Sequence, residues 1–309
     1  MKKLSLIIAL AAITFAAIAQ EDEAGSTLEQ PVRPPLTRPW TSDDIGEFSA
    51  PIAYVHQRQA DVMYYVTIWR TIDLREKINH PLYFPTRAKG GLRSLGRVIF
   101  DALDFENPEN EGALPLYTNE DCQYPLSKDE ARGGLTRRFS TPQVNEYGEI
   151  IGYLDGEEEL STDQILSYYL KEVWFFDKER SLLDVRILEI EPIIEYTPEL
   201  NLGTENQELG EDAVAPQKQL KRVGFIMYDE LRPFLAKQEV FNIKNNAARI
   251  SFDDLMTWKR QFASYVRAEE NVYDNRQIRD YMANPRDQRI ESEMIKEAIR
   301  TMESDLWEF

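Results

Sequence analysis

The stretch EVWFFDKERSLLDVRILEI, residues 172–190, decides how the middle of the chain folds. Aromatic and branched side chains, which favour strands, stand on both sides of the charged run Asp177–Arg180. Because alternate side chains of a strand point to opposite faces, Trp174 and Phe176 should lie on one face and Phe175 on the other. The sequence therefore predicts a β-hairpin with the charged run as its turn, in a sheet that is covered on both faces or packed against a second surface.

The second strand of this hairpin carries charges of its own. Its apolar residues alternate from Leu183 to Ile187 and slip by one position before Ile190. Asp184 and Arg186 are two residues apart, so a strand places them on one face. Charge pairs at a surface usually contribute little to stability. Nothing in the stretch requires catalysis, and we interpret its charges as structural.

The segment ADVMYYVTIWRTIDLREKINHPLYFP precedes the hairpin and begins at Ala60. Val62, Val66 and Trp69 follow helical spacing, and Pro81 interrupts the run. We therefore predict a helix from Ala60 that ends before Pro81.

Further helices are predicted on the same grounds. Apolar spacing indicates one helix within residues 92–103 and another within residues 290–306. From Ser251, the segment SFDDLMTWKRQFASYV has Asp254 three residues after a serine, a weaker version of the capping box. Its apolar stripe runs to Val266, which predicts a single helix.

Turn and cap residues divide the rest of the chain. Tyr147-Gly148 indicates a hairpin, and Asp155-Gly156 indicates a further turn. STDQILSYYL is predicted to open a helix with Ser161 or Thr162 as the cap. KRVGFIMYDE, from Lys221, is predicted to be a strand of the hairpin's own sheet. Together these elements predict an α+β fold, a central antiparallel sheet flanked by helices.

The N-terminal part of the sequence predicts export. Residues 1–19 have the basic head and short apolar stretch of a signal peptide, with cleavage between Ala19 and Gln20. Residues 20–45 are polar and proline-rich, which indicates either an unstructured linker or an extended arm along a neighbouring molecule. A single α+β domain is expected over residues 46–309, with a mobile acidic loop at about 195–220.

Composition excludes several classes of function. A formal net charge of −18 argues against nucleic acid or anionic lipid as the main partner. Cys122 is the one cysteine, so no internal disulfide forms, and neighbouring acids should blunt its reactivity. His56 and His80 are too few for a metal site of several histidines. No motif for a nucleotide or other cofactor is present, and we predict none.

A basic cluster lies around KGGLRSLGR, in which Arg87, Lys89, Arg93 and Arg97 surround two glycines. A helix that begins after Gly91 could hold an anion through its N–H groups, although the spacing matches no phosphate motif. A solvated basic face and a docking surface for an acidic partner are the two other interpretations.

The abundant carboxylates leave a catalytic alternative open. A pair of them at hydrolase spacing would make the chain a periplasmic hydrolase or carbohydrate-active protein. With 54 acids in the chain, however, such pairs are expected by chance, and finding one says little about catalysis. The run Glu157-Glu158-Glu159 lacks the alternating ligands and glycine of a calcium loop, which leaves weak calcium binding as a further alternative.

Three long segments resemble one family. The segment from Ala60, the hairpin VWFFDKERSLLDVRILEIEP and VFNIKNNAARISFDDLMTWKRQFASYVRAEENVYDNRQIRDYM are similar to the gliding motility protein GldN, or PorN, of the type IX secretion system of Bacteroidota. The resemblance runs from about Trp40 to the C-terminus.

This resemblance implies a non-enzymatic subunit of a periplasmic ring beneath the outer membrane. Its implied partners are the lipoprotein GldK (PorK), further copies of itself, and the periplasmic part of GldM (PorM), with the outer membrane reached only through the lipoprotein. The ring would couple the GldL/GldM motor to secretion and gliding. A ring needs contacts between unlike patches, and the candidate contact residues are Trp40, Arg87, Lys89, Arg93, Arg97, Trp307 and Phe309.

Overall fold

A computed structural model describes residues 50–89, 91–104, 113–144, 150–159, 161–196, 219–242 and 249–306. The chain divides into two units, Met1–Thr41 and Ser42–Phe309, and every described residue belongs to the second.

A sheet runs through the middle of this unit. Within the described ranges the strands are β1 (Val62–Asp73), β2 (Thr136–Val144), β3 (Ile150–Glu159), β4 (Ile165–Asp177), β5 (Leu182–Tyr196), β6 (Gln219–Arg222), β7 (Ile226–Met227) and β8 (Tyr265–Glu269). The main sheet has the order β6–β5–β4–β1–β8, β7 also pairs with β5, and all neighbours are antiparallel. β2 and β3 form a separate antiparallel pair. The predicted α+β fold with a central antiparallel sheet is confirmed.

The predicted central hairpin is formed by β4 and β5, whose turn is Lys178–Ser181. Ser181 adopts a positive φ of 51°. The slip in the apolar alternation is a β-bulge: Lys171 pairs with Glu189 while Glu172 pairs with Ile187, which leaves one extra residue in β5. KRVGFIMYDE joins the same sheet, as predicted, but through two short strands, β6 and β7, and its last residues, Tyr228–Glu230, begin a helix.

The helix predicted from Ala60 is wrong, because Val62–Asp73 is strand β1. It lies in the middle of the sheet, between β4 and β8. Neighbouring residues such as Ile68 and Trp69 are both buried, one on each face. From Ile68 to Ile72 the strand is largely buried on both faces and shows no clean alternation, whereas Met63 and Tyr65 are exposed. Its apolar residues matched helical spacing by coincidence, and its valine, isoleucine, threonine and aromatic content fits a strand.

Helices lie before and after the sheet strands. Those in the described ranges are α1 (His80–Tyr83), α2 (Leu95–Leu103), α3 (Lys128–Leu135), α4 (Tyr228–Lys237), α5 (Ile278–Tyr281) and α6 (Pro285–Leu306), with a π-helix at Asp254–Trp258. The helices predicted within residues 92–103 and 290–306 are confirmed as α2 and α6. Among the described residues, no helix is both long and apolar enough to cross a membrane.

The long helix predicted from Ser251 is wrong in its second half. The capping box forms, since Asp254 N–H donates to Ser251 Oγ at 3.0 Å and Ser251 N–H donates to Asp254 Oδ2 at 3.3 Å. Helical structure ends at Trp258, and Arg260 follows with a positive φ of 47°. Tyr265–Glu269 is strand β8, whose side chains complete the sheet rather than extend an apolar helical stripe.

Two predicted boundaries are also wrong. Asp155-Gly156 is not a turn, because both residues continue strand β3. Ser161 precedes only a short 3₁₀ turn, Thr162–Gln164, and makes no side-chain cap; strand β4 follows at once. The hairpin expected around Tyr147-Gly148 is present as the β2–β3 pair, although its turn lies outside the described residues. Most of the predicted acidic loop also lies outside them, while Glu195 and Tyr196 end β5.

Two apolar clusters cover one face of the sheet. The larger includes Ile72 of β1, Leu170 of β4 and buried residues of α2 and α4. The smaller joins Ile68 and Val266 to buried residues of α5 and α6. Ile68 and Ile72 are four residues apart on one strand and therefore share this face, so the two clusters meet along β1.

Candidate interaction site

Charged side chains at the tip of the β4–β5 hairpin pair with one another and stabilise its turn. Arg180 donates hydrogen bonds to Asp177 and, at 2.7 Å, to Asp184. The Arg180 hydrogen bond is the main reason that the pKa of Asp177 lies below its usual value. Glu179 pairs with Arg58, on the segment that precedes β1. These contacts favour the structural interpretation of the charged run over a catalytic one.

Glu172 is a fully buried carboxylate on the helix-covered face of the sheet. It accepts hydrogen bonds from Arg70 at 3.1 Å, Trp174 Nε1 at 2.9 Å and Arg260 at 2.8 Å. Burial alone raises the pKa of Glu172, but Arg260 and Arg70 outweigh it and hold the pKa below its ordinary value. The carboxylate is therefore ionised and paired.

This ionic group lies where the two apolar clusters meet. The guanidinium of Arg70 lies 5.5 Å from the ring centre of Trp174 and 5.7 Å from that of Phe262, and Arg260 faces the same two rings. Trp174 packs against the smaller cluster and Phe262 belongs to the larger. The two arginines thus connect β1 and the segment after the π-helix through one carboxylate of β4.

Paired charges also lie on the opposite face of the sheet. Lys171 of β4 contacts Glu189 of β5 at 3.1 Å, and Arg222 of β6 donates two hydrogen bonds to Glu191. Burial raises the pKa of Glu189 to about 7 against the opposing effect of Lys171. Glu189 is therefore a carboxyl group that changes its charge near neutral pH.

Replacing Glu189 should change how stability depends on pH. Between its ordinary pKa of 4.5 and about 7, the unfolded chain loses the Glu189 proton while the folded chain keeps it, so rising pH favours unfolding. The stability of the wild-type protein, measured relative to Glu189→Gln, should decrease as pH rises through this window. Urea unfolding of both proteins at several pH values between about 4 and 8 measures this difference.

Glu297→Gln is the matched control, because Glu297 is an exposed partner of Arg300. The change in stability that follows loss of an exposed ion pair should be small. A stability difference for Glu189→Gln that does not change between pH 4.5 and 7 would contradict the raised pKa of Glu189.

The structure places the predicted basic cluster on the surface beside α2. All four cations are exposed, but Arg93 and Arg97 both contact Asp101 at 2.8 Å. The start of α2 is capped by its own Ser94, which accepts the N–H of Arg97, so one of the N–H groups considered for anion binding is already used. Arg87 and Lys89 lie in the loop before the helix. The other predicted contact residues, Trp40, Trp307 and Phe309, and the cleavage site Ala19/Gln20 lie outside the described residues.

A cavity of about 680 Å³ opens between the start of β8 and the helices α5 and α6. Sequence reasoning missed it, because three separate segments form it and one was predicted as helix. Its apolar walls include Phe262, Val266 and Ile278, and its charged walls are formed by Arg70, Asp73, Glu76, Arg267, Arg279, Arg289, Glu293 and Lys296.

The residues most often used in metal or thiol chemistry are not assembled into a site within the described ranges. No group of three or more histidine, cysteine, aspartate or glutamate side chains there could hold a metal ion. Burial is the main reason that the pKa of Cys122 is raised to about 11, so the thiol is protonated at neutral pH.

The fold and its contacts define an α+β protein whose buried carboxylates are paired with cations across a central antiparallel sheet. Residues 57–308 match the family described as gliding motility associated protein GldN. The match covers most of the chain, and the chain belongs to this family of gliding-motility components, as the resemblance predicted. A search of curated proteins finds no match.

Proposed function

We propose that this chain is a non-enzymatic structural subunit of the type IX secretion and gliding machinery. In this proposal it assembles in the periplasm with the lipoprotein GldK (PorK) and with further copies of itself, in a ring at the inner face of the outer membrane. Through GldM (PorM), the ring couples the GldL/GldM motor to secretion and gliding. The family match over residues 57–308 carries the proposal.

The contacts of the buried carboxylates support a structural role. Glu172, Glu189, Glu191 and Asp253 are each in contact with a lysine or arginine. General acid–base catalysis requires a carboxyl group that reaches a substrate and exchanges its proton there. A buried carboxylate that is paired with a lysine or arginine inside the fold contributes to the folded structure instead.

Isolation of the assembled complex tests this proposal. The full-length tagged protein is expressed in its own host, and envelopes are gently solubilised before purification, light scattering and identification of the partners. The proposal predicts a particle far larger than one chain that contains a lipid-anchored protein. Recovery of a monomer without partners would contradict it.

Charge reversal of the basic surface should weaken that assembly. Arg87 and Lys89 are exposed, and they take no part in the ion pairs that Arg93 and Arg97 make with Asp101. We expect Arg87→Glu combined with Lys89→Glu to lower recovery of the large particle about tenfold, the loss typical of reversing a charge at an interface, while the melting temperature stays within about 2 °C of wild type.

Lys178→Glu is the control, since Lys178 is an exposed cation at the hairpin tip. If it lowers recovery to the same extent, the effect reflects net charge and the basic cluster is not the docking surface.

A further inference from the structure

A short loop covers part of the charged face of the sheet, opposite the helices. The covering loop, Thr118–Tyr124, is closed at its neck by the N–H of Thr118, which donates to the carbonyl oxygen of Tyr124 at 3.0 Å. Tyr117, just before the loop, exchanges two backbone hydrogen bonds with Phe225, at 2.8 and 3.0 Å. The neck is therefore fixed to the fold, and the tip can open while the neck stays in place.

Polar contacts hold the tip of the covering loop on the sheet. The carboxylate of Glu120 accepts a hydrogen bond from Trp69 Nε1 at 3.2 Å, and its carbonyl oxygen accepts one from Lys171 Nζ at 3.3 Å. The same ammonium lies 3.5 Å from Asp121 Oδ1. No residue of the loop is buried, and Cys122 adopts a positive φ of 49°, which is uncommon for residues other than glycine. A segment held mainly by polar contacts belongs to the parts of a fold that open most readily.

Lys171 is shared between the covering loop and Glu189. Its ammonium lies 3.1 Å from Glu189 Oε1, and its contacts with the loop use the other two of its three donors. Glu189 is only 7% exposed, and it lines the same small cavity as Glu120 of the loop. The carboxyl group of Glu189 and the tip of the loop therefore face each other across one cation.

The groups around Glu189 carry both signs of charge. Burial first, and then the loop acids Glu120 and Asp121, raise the pKa of Glu189 to about 7 against the opposing effect of Lys171. The other ionisable groups on the surrounding elements are the paired Glu191 and Arg222, Arg267 over the Tyr169 ring, Glu230 at the start of α4 and the protonated thiol of Cys122.

Ionisation of Glu189 and closure of the loop oppose each other. Because Glu120 and Asp121 raise the pKa of Glu189 when the loop is closed, an ionised Glu189 must weaken the closed loop by the same free energy. The contacts show how this happens. The negative charge of Glu189 repels the two loop acids, and it competes with them for Lys171.

We propose that the covering loop is a pH-sensitive latch on the sheet, held closed by Lys171 while Glu189 is protonated and released when Glu189 ionises. Release exposes the charged face of β4 and β5 to solvent. The latch goes beyond the proposed assembly and does not depend on it.

Hydrogen exchange of the full chain, followed by mass spectrometry between about pH 5.5 and 8.5, tests the latch. The measured quantity is the exchange rate of the loop amides in the wild type divided by their rate in Glu189→Gln, which keeps a neutral side chain at every pH. Taking this ratio at each pH cancels the chemical dependence of exchange on pH. The ratio should be near one at the acidic end and rise roughly three- to tenfold at the alkaline end, since a pKa change of about one corresponds to a tenfold change in an equilibrium.

Two further variants test the charges involved. Glu297→Gln is the matched control, because Glu297 is an exposed glutamate of α6, and the ratio of wild-type to Glu297→Gln rates should not change with pH. Asp121→Asn keeps an oxygen for Lys171 but removes one charge that Glu189 repels. Asp121 is 67% exposed, so this variant should fold normally. In the Asp121→Asn background, Glu189→Gln should produce a smaller change of the ratio with pH.

Two results would overturn the proposal. One is a ratio for the loop amides that stays constant across the pH range. The other is loop exchange that low concentrations of urea accelerate as steeply as the exchange of β1, which would mean that the loop opens only when the whole domain unfolds. A rise with pH that is insensitive to urea supports the latch.

Discussion

Glu172→Gln should be among the most destabilising single substitutions in this protein. The change keeps the shape of the side chain but removes the charge that pairs with Arg70 and Arg260, and so leaves two largely buried guanidinium groups without their anion. Loss of one partner from a buried pair costs about 3–5 kcal/mol. In a domain of this size, that corresponds to a fall of roughly 10 °C in the melting temperature.

The exposed ion pair at the hairpin tip supplies the control. Glu179 and Arg58 both have 62% of their side chains exposed, so Glu179→Gln should destabilise the protein far less than Glu172→Gln does. Urea unfolding of the two variants compares the two effects directly. Equal losses in the two variants would show that the pairs around Glu172 do not stabilise the junction between the two apolar clusters.

Arg232→Leu should have an effect of similar size through a different part of the fold. Arg232 of α4 is nearly buried and donates to both oxygens of the buried Asp253, at 2.9 and 3.1 Å. The same guanidinium also donates to the carbonyl oxygen of Ile52 and lies 4.2 Å from the ring centre of Tyr54. The substitution leaves Asp253 buried and unpaired, which costs about 3–5 kcal/mol.

A second readout distinguishes this variant from general destabilisation. Arg232 contacts Ile52 and Tyr54. Relative to the wild type, Arg232→Leu should therefore increase the rate of amide hydrogen exchange more in the segment around these two residues than in β4. The double variant Arg232→Leu with Asp253→Leu removes both charges and should be more stable than Arg232→Leu alone. A double variant that is less stable would mean that packing around Arg232, rather than its ion pair, dominates.

Sequence patterns predicted the helices that have one apolar face and the hairpin that has a charged turn, and they failed for strands β1 and β8. α2 and α6 have one apolar face each, so their spacing was clear. The β4–β5 hairpin was recognisable because charged residues interrupt two strand-like runs at Asp177–Arg180. The second half of strand β1, from Ile68 to Ile72, is largely buried on both faces, and its alternation is hidden there for that reason.

The cavity was beyond prediction for a related reason. Arg267 is in β8, whereas Arg279 and Arg289 belong to the helices that follow it, and no spacing rule brings them together. All three line the cavity because the helical structure ends before Arg260 and the chain then joins the sheet as β8. The sequence around Ser251 instead favours a continuing helix, because Phe262, Tyr265 and Val266 also fit helical spacing.

The position of β4 has a mechanical consequence. β4 is hydrogen-bonded to β1 on one side and to β5 on the other along nearly its whole length. Inter-strand hydrogen bonds are perpendicular to the strands, so a pull along β4 loads them together in shear rather than one after another, as in peeling. The Glu172 ion pairs lie midway along this strand. A tensile load on β4 is therefore shared by the two strands that flank it.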